Sequence, residues 1–132
     1  MSDNEKKKPE TIVLDQKMMG LRGEQLTIGV PGEDDPQPMT FGLLAKFLLT
    51  TGLDTMHARE RQKQKEPSSQ EKLRAGLLAE KLDNGSRGHA FSLEQTTLLK
   101  KVAEAFGLET MAYKALLEII DPAAIQKEKE RI

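Results

Sequence analysis

The sequence predicts an α+β domain in which an N-terminal β-hairpin packs on a bundle of about four helices. Three observations predict it. Two β-branched apolar runs, "TIVLD" at 11–15 and "EQLTIGV" at 24–30, stand near the start. From residue 39 onward apolar residues recur at i, i+3, i+4 and i+7, and those windows are bracketed by N-cap residues and glycine stops. The 132 residues suffice for one hydrophobic core and are too few for two of ordinary size, so 11–122 is expected as a single domain.

Residues 1–10 carry Lys6, Lys7 and Lys8 among other charges with no periodic apolar positions, which predicts a disordered arm. The runs 11–15 and 24–30 follow as strands; Leu26, Ile28 and Val30 alternate onto one face of the second. "QKMMGLRG" between them supplies Gly20 and Gly23, so the two strands are expected to form a hairpin with a long, bulged connection. "PGEDDPQP" at 31–38, with three prolines and three acids, predicts a loop.

The first helix is placed at 40–52, with Thr40 as N-cap, Phe41, Leu44, Ala45 and Leu48 at helical spacing, and Gly52 as its stop. Leu43, Phe47 and Leu49 on its other side make it apolar nearly all round, so it should be central or covered by a partner. "DTMHARERQKQKEPSS", 54–69, has almost no apolar content and predicts a frayed extension or a mobile loop. Ser68 and Glu71 make a capping box for a second helix at 69–84, whose apolar face would be Leu73, Leu77, Leu78 and Leu82. Ser92 and Gln95 open a third at 92–106, carrying Leu99, Val102, Ala103 and Phe106 and ending at Gly107. The fourth, 109–120, carries Ala112, Ala115, Leu116 and Ile119 and is halted by Asp121 and Pro122; 123–132 reads as a charged tail.

Composition narrows the function classes. The formal net charge is −1, so the whole-molecule field neither attracts nor repels a polyanion. Without cysteine there is no disulfide, thiol nucleophile or cysteine-bound zinc; without tryptophan and with one tyrosine, base-stacking platforms are hard to build. No segment approaches the roughly 18–20 apolar residues that cross a bilayer, and the N-terminal charges are not followed by an apolar stretch, so a cytoplasmic protein without membrane contact is expected.

Residues 98–120 have the outline of a helix-turn-helix: Ala103, Gly107, Leu108 and Leu116 stand where a small residue, a turn glycine and bracing apolar contacts belong. The second helix opens on Glu109, however, and offers only Thr110 and Lys114 as donors, which suits a helical hairpin better than a reader of base edges. A nucleic-acid-binding regulator using Thr110, Lys114 and the basic run Arg59, Arg61, Lys63 and Lys65 is the alternative reading, diluted by Glu60 and Glu66. His57 and His89 fall in polar sequence without ligand spacing or a nucleophile signature, so no catalytic residue, metal or cofactor is expected. The leading expectation is a protein-interaction role, with Met18 and Met19 on the hairpin connection and Phe47 and Leu49 on the first helix as candidate contacts.

The order "IVLD", "LRGEQLTI", "MTFGLLAKFLL", "EKLRAGLLAEKL" and "FSLEQTTLLKKVAEAFG" resembles a group of small phage and prophage proteins that begin with two short strands and continue into a helical run. The resemblance covers roughly residues 11–120, with a longer turn, "DQKMMGLRG", than in the group. It implies a phage or prophage accessory or assembly-related protein and carries over no functional residue.

Overall fold

A computed structural model describes residues 10–30 and 32–132; the Lys6–Lys8 run and most of the expected arm lie outside the described residues. The fold is mixed, with two small antiparallel sheets and a set of helices. The strands are β1 (Thr11–Val13), β2 (Thr27–Ile28), β3 (Gln37–Pro38) and β4 (Gly88–Ala90). The helices are α1 (Phe41–Phe47), which runs through a π-helical turn at Leu48–Gly52 into α2 (Leu53–Gln62), then α3 (Ser69–Leu82), α4 (Leu93–Phe106), α5 (Thr110–Ile120) and α6 (Pro122–Arg131).

The expected hairpin of 11–15 with 24–30 does not form. β1 pairs instead with β4, Ile12 opposite His89, and β2 pairs with β3 across the acidic loop, Ile28 opposite Gln37. The "PGEDDPQP" segment therefore contributes a short strand; Pro38 is tolerated because the ladder is two residues long and open at its edge. Residues 14–19 are drawn onto the start of α1: Gly42 N–H donates to Leu14 O (2.7 Å), Phe41 N–H to Gln16 O (3.0 Å) and Met18 N–H to Met39 O (2.9 Å). Gln25 ties the layer together, its amide nitrogen donating to the carbonyls of Met18, Leu26 and Met39.

The long central helix explains its own apolar surplus. A 3.6-residue repeat continued from Phe41, Leu44, Ala45 and Leu48 would next turn Thr55 and Arg59 inward. One extra residue in the wide turn moves the inward set on by one, to Leu49, Leu53, Met56 and His57, which are all buried. The helix is thus apolar on one face before the turn and on the next face after it, Gly52 does not stop it, and of the two readings of 54–69 the helical extension holds as far as Gln62. Thr50 Oγ1 donates to Lys46 O (2.8 Å) and Thr55 Oγ1 to Thr51 O (2.9 Å), taking up carbonyls around the turn. Gly52 faces α4: a Cβ there would sit 3.1 Å from Val102 Cγ1, so glycine sets the close approach of the two helices.

The remaining helices follow their caps. Thr40 and Ser68 accept from the backbone of Leu43 and Glu71, Ser92 and Gln95 complete a reciprocal box, and Gly107 closes α4 in the left-handed region at φ 83. α4 buries Leu99, Val102 and Ala103, and α5 buries Ala112, Ala115 and Leu116, while Phe106 and Ile119, expected on the same stripes, are only half-buried. In α3 the inward face is Ala75, Leu78, Ala79 and Leu82; Leu73 and Leu77, expected inside, point outward. Small side chains on the inner face let α3 lie close against the π turn.

The expected C-terminal tail is α6. Asp121 ends α5 and caps α6, its Oδ1 accepting from Ala124 N–H (3.3 Å), and Pro122 starts the helix with φ already set. Lys100 Nζ of α4 lies 2.6 Å from Asp121 Oδ2. That hydrogen bond is the main cause holding the Asp121 carboxyl below its ordinary value near 3.8, burial opposing it. A depressed carboxyl stabilises the fold above its unfolded pKa, and the contribution is lost as pH falls through the folded pKa. Urea midpoints of the wild type should therefore fall below about pH 4, with Asp83 and Glu71, also depressed, adding to the loss. Asp121→Asn should be less stable than the wild type at neutral pH and close to it near pH 2; a constant difference across that range would remove the pair from the account.

Candidate functional site

Three helices bring one ionisable cluster together. His57 and Glu60 are three apart on α2 and share the face that the π turn directs inward; Glu71 stands in the first turn of α3; Lys101 comes from α4. His57 is 2% exposed and its Nε2 lies 2.9 Å from Glu71 Oε1. The other carboxylate oxygen, Glu71 Oε2, accepts from Lys101 Nζ at 2.8 Å. Glu60 Oε1 faces the same His57 nitrogen at 4.0 Å, too far for a hydrogen bond.

The capping box expected at Ser68 and Glu71 is consequently half made. Ser68 Oγ accepts from Glu71 N–H (3.2 Å), but the glutamate side chain bridges two other helices instead of returning to the cap. Burial pushes the Glu71 carboxyl up, and the hydrogen bonds from His57 and Lys101 together outweigh it, so the group sits below its ordinary value near 4.5. The same contact with Glu71 raises Lys101. Glu71 is thus a fixed anion between an imidazole and an ammonium.

His57 therefore does not lie in loop sequence. It belongs to a helix that the polar composition of 54–69 concealed, because only one narrow face of that helix is buried. No hydroxyl is hydrogen-bonded to His57 among the described residues. His89 has a separate environment: its Nε2 lies 3.0 Å from Gln95 Oε1 and its ring stands edge-on to Phe91 at 4.5 Å.

Glu71 and Lys101 also line one end of a groove of about 760 Å³ between α3 and α4. Leu77, Leu78, Leu93 and Leu98 form its apolar surface. Leu77 is 57% exposed and Leu93 81%. Arg74 and Lys81 stand one turn to either side of Leu77 along α3, and neither is in an ion pair among the described residues. Setting aside the Glu71–Lys101 pair, they leave the groove two cations against one lining carboxylate, Glu94.

The interaction residues expected from sequence are dispersed. Met18 and Leu49 are core, Met18 because residues 17–19 lie between 25–26 and 39–40, Leu49 because the π turn rotates it inward. Met19 is exposed; Phe47 is half-buried, edge-on to Phe106 at 5.2 Å beside a smaller depression of about 320 Å³. Sequence reasoning missed Leu77 and Leu93. An apolar residue directly after the Ser92 cap, where a helix begins at the surface, was the available signal for Leu93.

The basic residues are equally divided. The Arg59 guanidinium donates to the carbonyls of Ala105 and Phe106, where a cation complements the end of α4. Arg61, Lys63 and Lys65 are exposed around the end of α2; Lys114 pairs with Glu118 at 3.2 Å, and Thr110 opens α5. The helix-turn-helix outline is present as a helical hairpin, but two of its six expected contact groups already serve other partners. No helix among the described residues is long and apolar enough to cross a membrane. Compared with protein-family models, curated proteins and solved structures, the chain matches none.

Proposed function

We propose that the chain is a non-catalytic interaction protein that holds an amphipathic helix of a partner protein, acidic along its edges, in the groove between α3 and α4. The carrying observation is the exposure of Leu77 and Leu93 along one groove that continues into Leu78 and Leu98. A single exposed leucine is ordinary, whereas several lining one concavity match the way helix-in-groove partners anchor leucines at i and i+4 or i+7. The charge of the occupant follows from Arg74 and Lys81, which would meet carboxylates at the helix edges. The resemblance to phage and prophage proteins supplies the setting of the proposal, an accessory or assembly role with a phage or host protein as partner.

Fluorescence polarisation with a labelled helical peptide, leucines on one stripe and glutamates beside it, tests this. The acidic peptide should bind about tenfold or more tightly than its lysine-flanked counterpart at low salt, lose affinity as salt rises, and fail to bind Leu93→Glu. Equal affinity for both peptides, or undiminished binding by the variant, overturns the reading. So does a dimer in sedimentation that Leu93→Glu dissociates, because the occupant is then a second copy.

A further inference from the structure

The geometry points to His57, Glu60 and Glu71 as the protein ligands of a divalent transition-metal ion, zinc by preference, at the junction of α2, α3 and α4. One ligand atom from each of His57, Glu60 and Glu71 lies within 4.8 Å of the other two, and His57 Nε2 is 2.9 Å from Glu71 Oε1 and 4.0 Å from Glu60 Oε1. Ligand bonds of about 2.0–2.2 Å in tetrahedral geometry separate donor atoms by roughly 3.3–3.6 Å, a span the two distances bracket. Binding requires the Glu60 carboxylate to approach His57 Nε2 and that of Glu71 to draw back from it.

A second observation singles out this cluster from an ordinary histidine–glutamate hydrogen bond. Glu60, half-buried, turns its carboxylate toward an imidazole that is 2% exposed, yet makes no side-chain hydrogen bond among the described residues. Lys101 attracts this carboxylate only through space, and a metal ion between Glu60 and His57 would give it the direct partner it lacks. Lys101 completes the arrangement from outside: by holding Glu71 Oε2 it leaves Oε1 for the ion, as outer partners of ligating carboxylates do.

The donor set selects the metal class. One imidazole with two carboxylates suits zinc and its first-row neighbours, whereas calcium and magnesium sites are built from oxygen alone. To bind, His57 presents the Nε2 lone pair with the ring proton on Nδ1, and the hydrogen bond to Glu71 gives way to two metal bonds. Three protein ligands leave a fourth position for water. The site depends on the π turn, which brings both His57 and Glu60 onto the inner face, and π turns recur where helices serve a function. Nothing in it rests on what occupies the groove.

The test uses the full chain, without an affinity tag and stripped with a chelator, titrated with zinc chloride. Calorimetry should show one saturable ion per chain, and NMR should show the ring signals of His57 move while those of His89 stay. Glu60→Gln removes a ligand without removing a hydrogen bond, so the metal-free thermal midpoint should stay near that of the wild type while zinc affinity falls about tenfold or more, at least the loss seen when an outer partner is removed. No saturable binding, the same affinity in Glu60→Gln, or a shift at His89 in place of His57 overturns the assignment.

Discussion

Phe41→Ala is expected to lower the free energy of unfolding by about 3–5 kcal/mol, the range for removing a fully buried phenylalanine ring. Phe41 is the first residue of α1, has no solvent exposure, and meets Phe91 edge-on with ring centroids 5.6 Å apart. Phe91 in turn stands edge-on to His89 on β4, the strand that pairs with β1. Truncation therefore loses the transfer energy of the ring, opens a cavity that α1 and β4 cannot both close over, and removes an aromatic contact worth about 0.5–1.5 kcal/mol beyond area. A domain of this size has about 5–15 kcal/mol in all, so the variant should unfold at a much lower urea concentration with an unchanged slope. A loss under about 1 kcal/mol would mean that β4 does not close the core at this end.

Gly42→Val should cost about 1–3 kcal/mol, the usual penalty of forcing added carbons into a packed site. The residue next to Phe41 donates its N–H to Leu14 O, and a Cβ at this position would lie 3.0 Å from that oxygen and 3.2 Å from Leu14 Cβ. Relief requires backbone to move, so the contact that ties residues 14–16 onto α1 is lost along with the fit. Gly52→Ala makes the informative comparison. The atoms it would meet, Val102 Cγ1 at 3.1 Å and Leu48 Cδ2 at 3.3 Å, belong to side chains and not to backbone, and alanine favours a helix over glycine by about 1 kcal/mol. Its midpoint should stay closer to the wild type than that of Gly42→Val. The reverse order would place the tight approach at the helix pair instead of between residues 14–16 and α1.

What could be read in the sequence was what local chemistry decides. Ser92 with Gln95, Thr40, Gly107 and the Asp121–Pro122 stop act within one turn of chain, and the structure places each where its residue type demands. Pairing between β1 and β4 was not legible, because "GHA" at 88–90 carries no β-branched residue and its partner lies far away in sequence. The central position of the first helix was legible but its continuation past Gly52 was not, because a change of phase at Leu48–Gly52 makes one inner face look like two. The cluster was hidden in the same way. Glu71 fits a capping box so well that its longer reach to His57 and Lys101 gives no separate signal, and His57 looks solvated until the phase change turns it inward.

The widened turn also separates chain length from side-chain aim. A chain shorter by one residue between Leu49 and Gly52 would close to ordinary α geometry while Leu53, Met56 and His57 kept their present neighbours, since the surplus residue is what the π turn absorbs. Length variation at this point is therefore nearly silent for the interior. When a distant relative is aligned to this chain, a one-residue gap belongs there, inside a helix, where gaps are ordinarily refused.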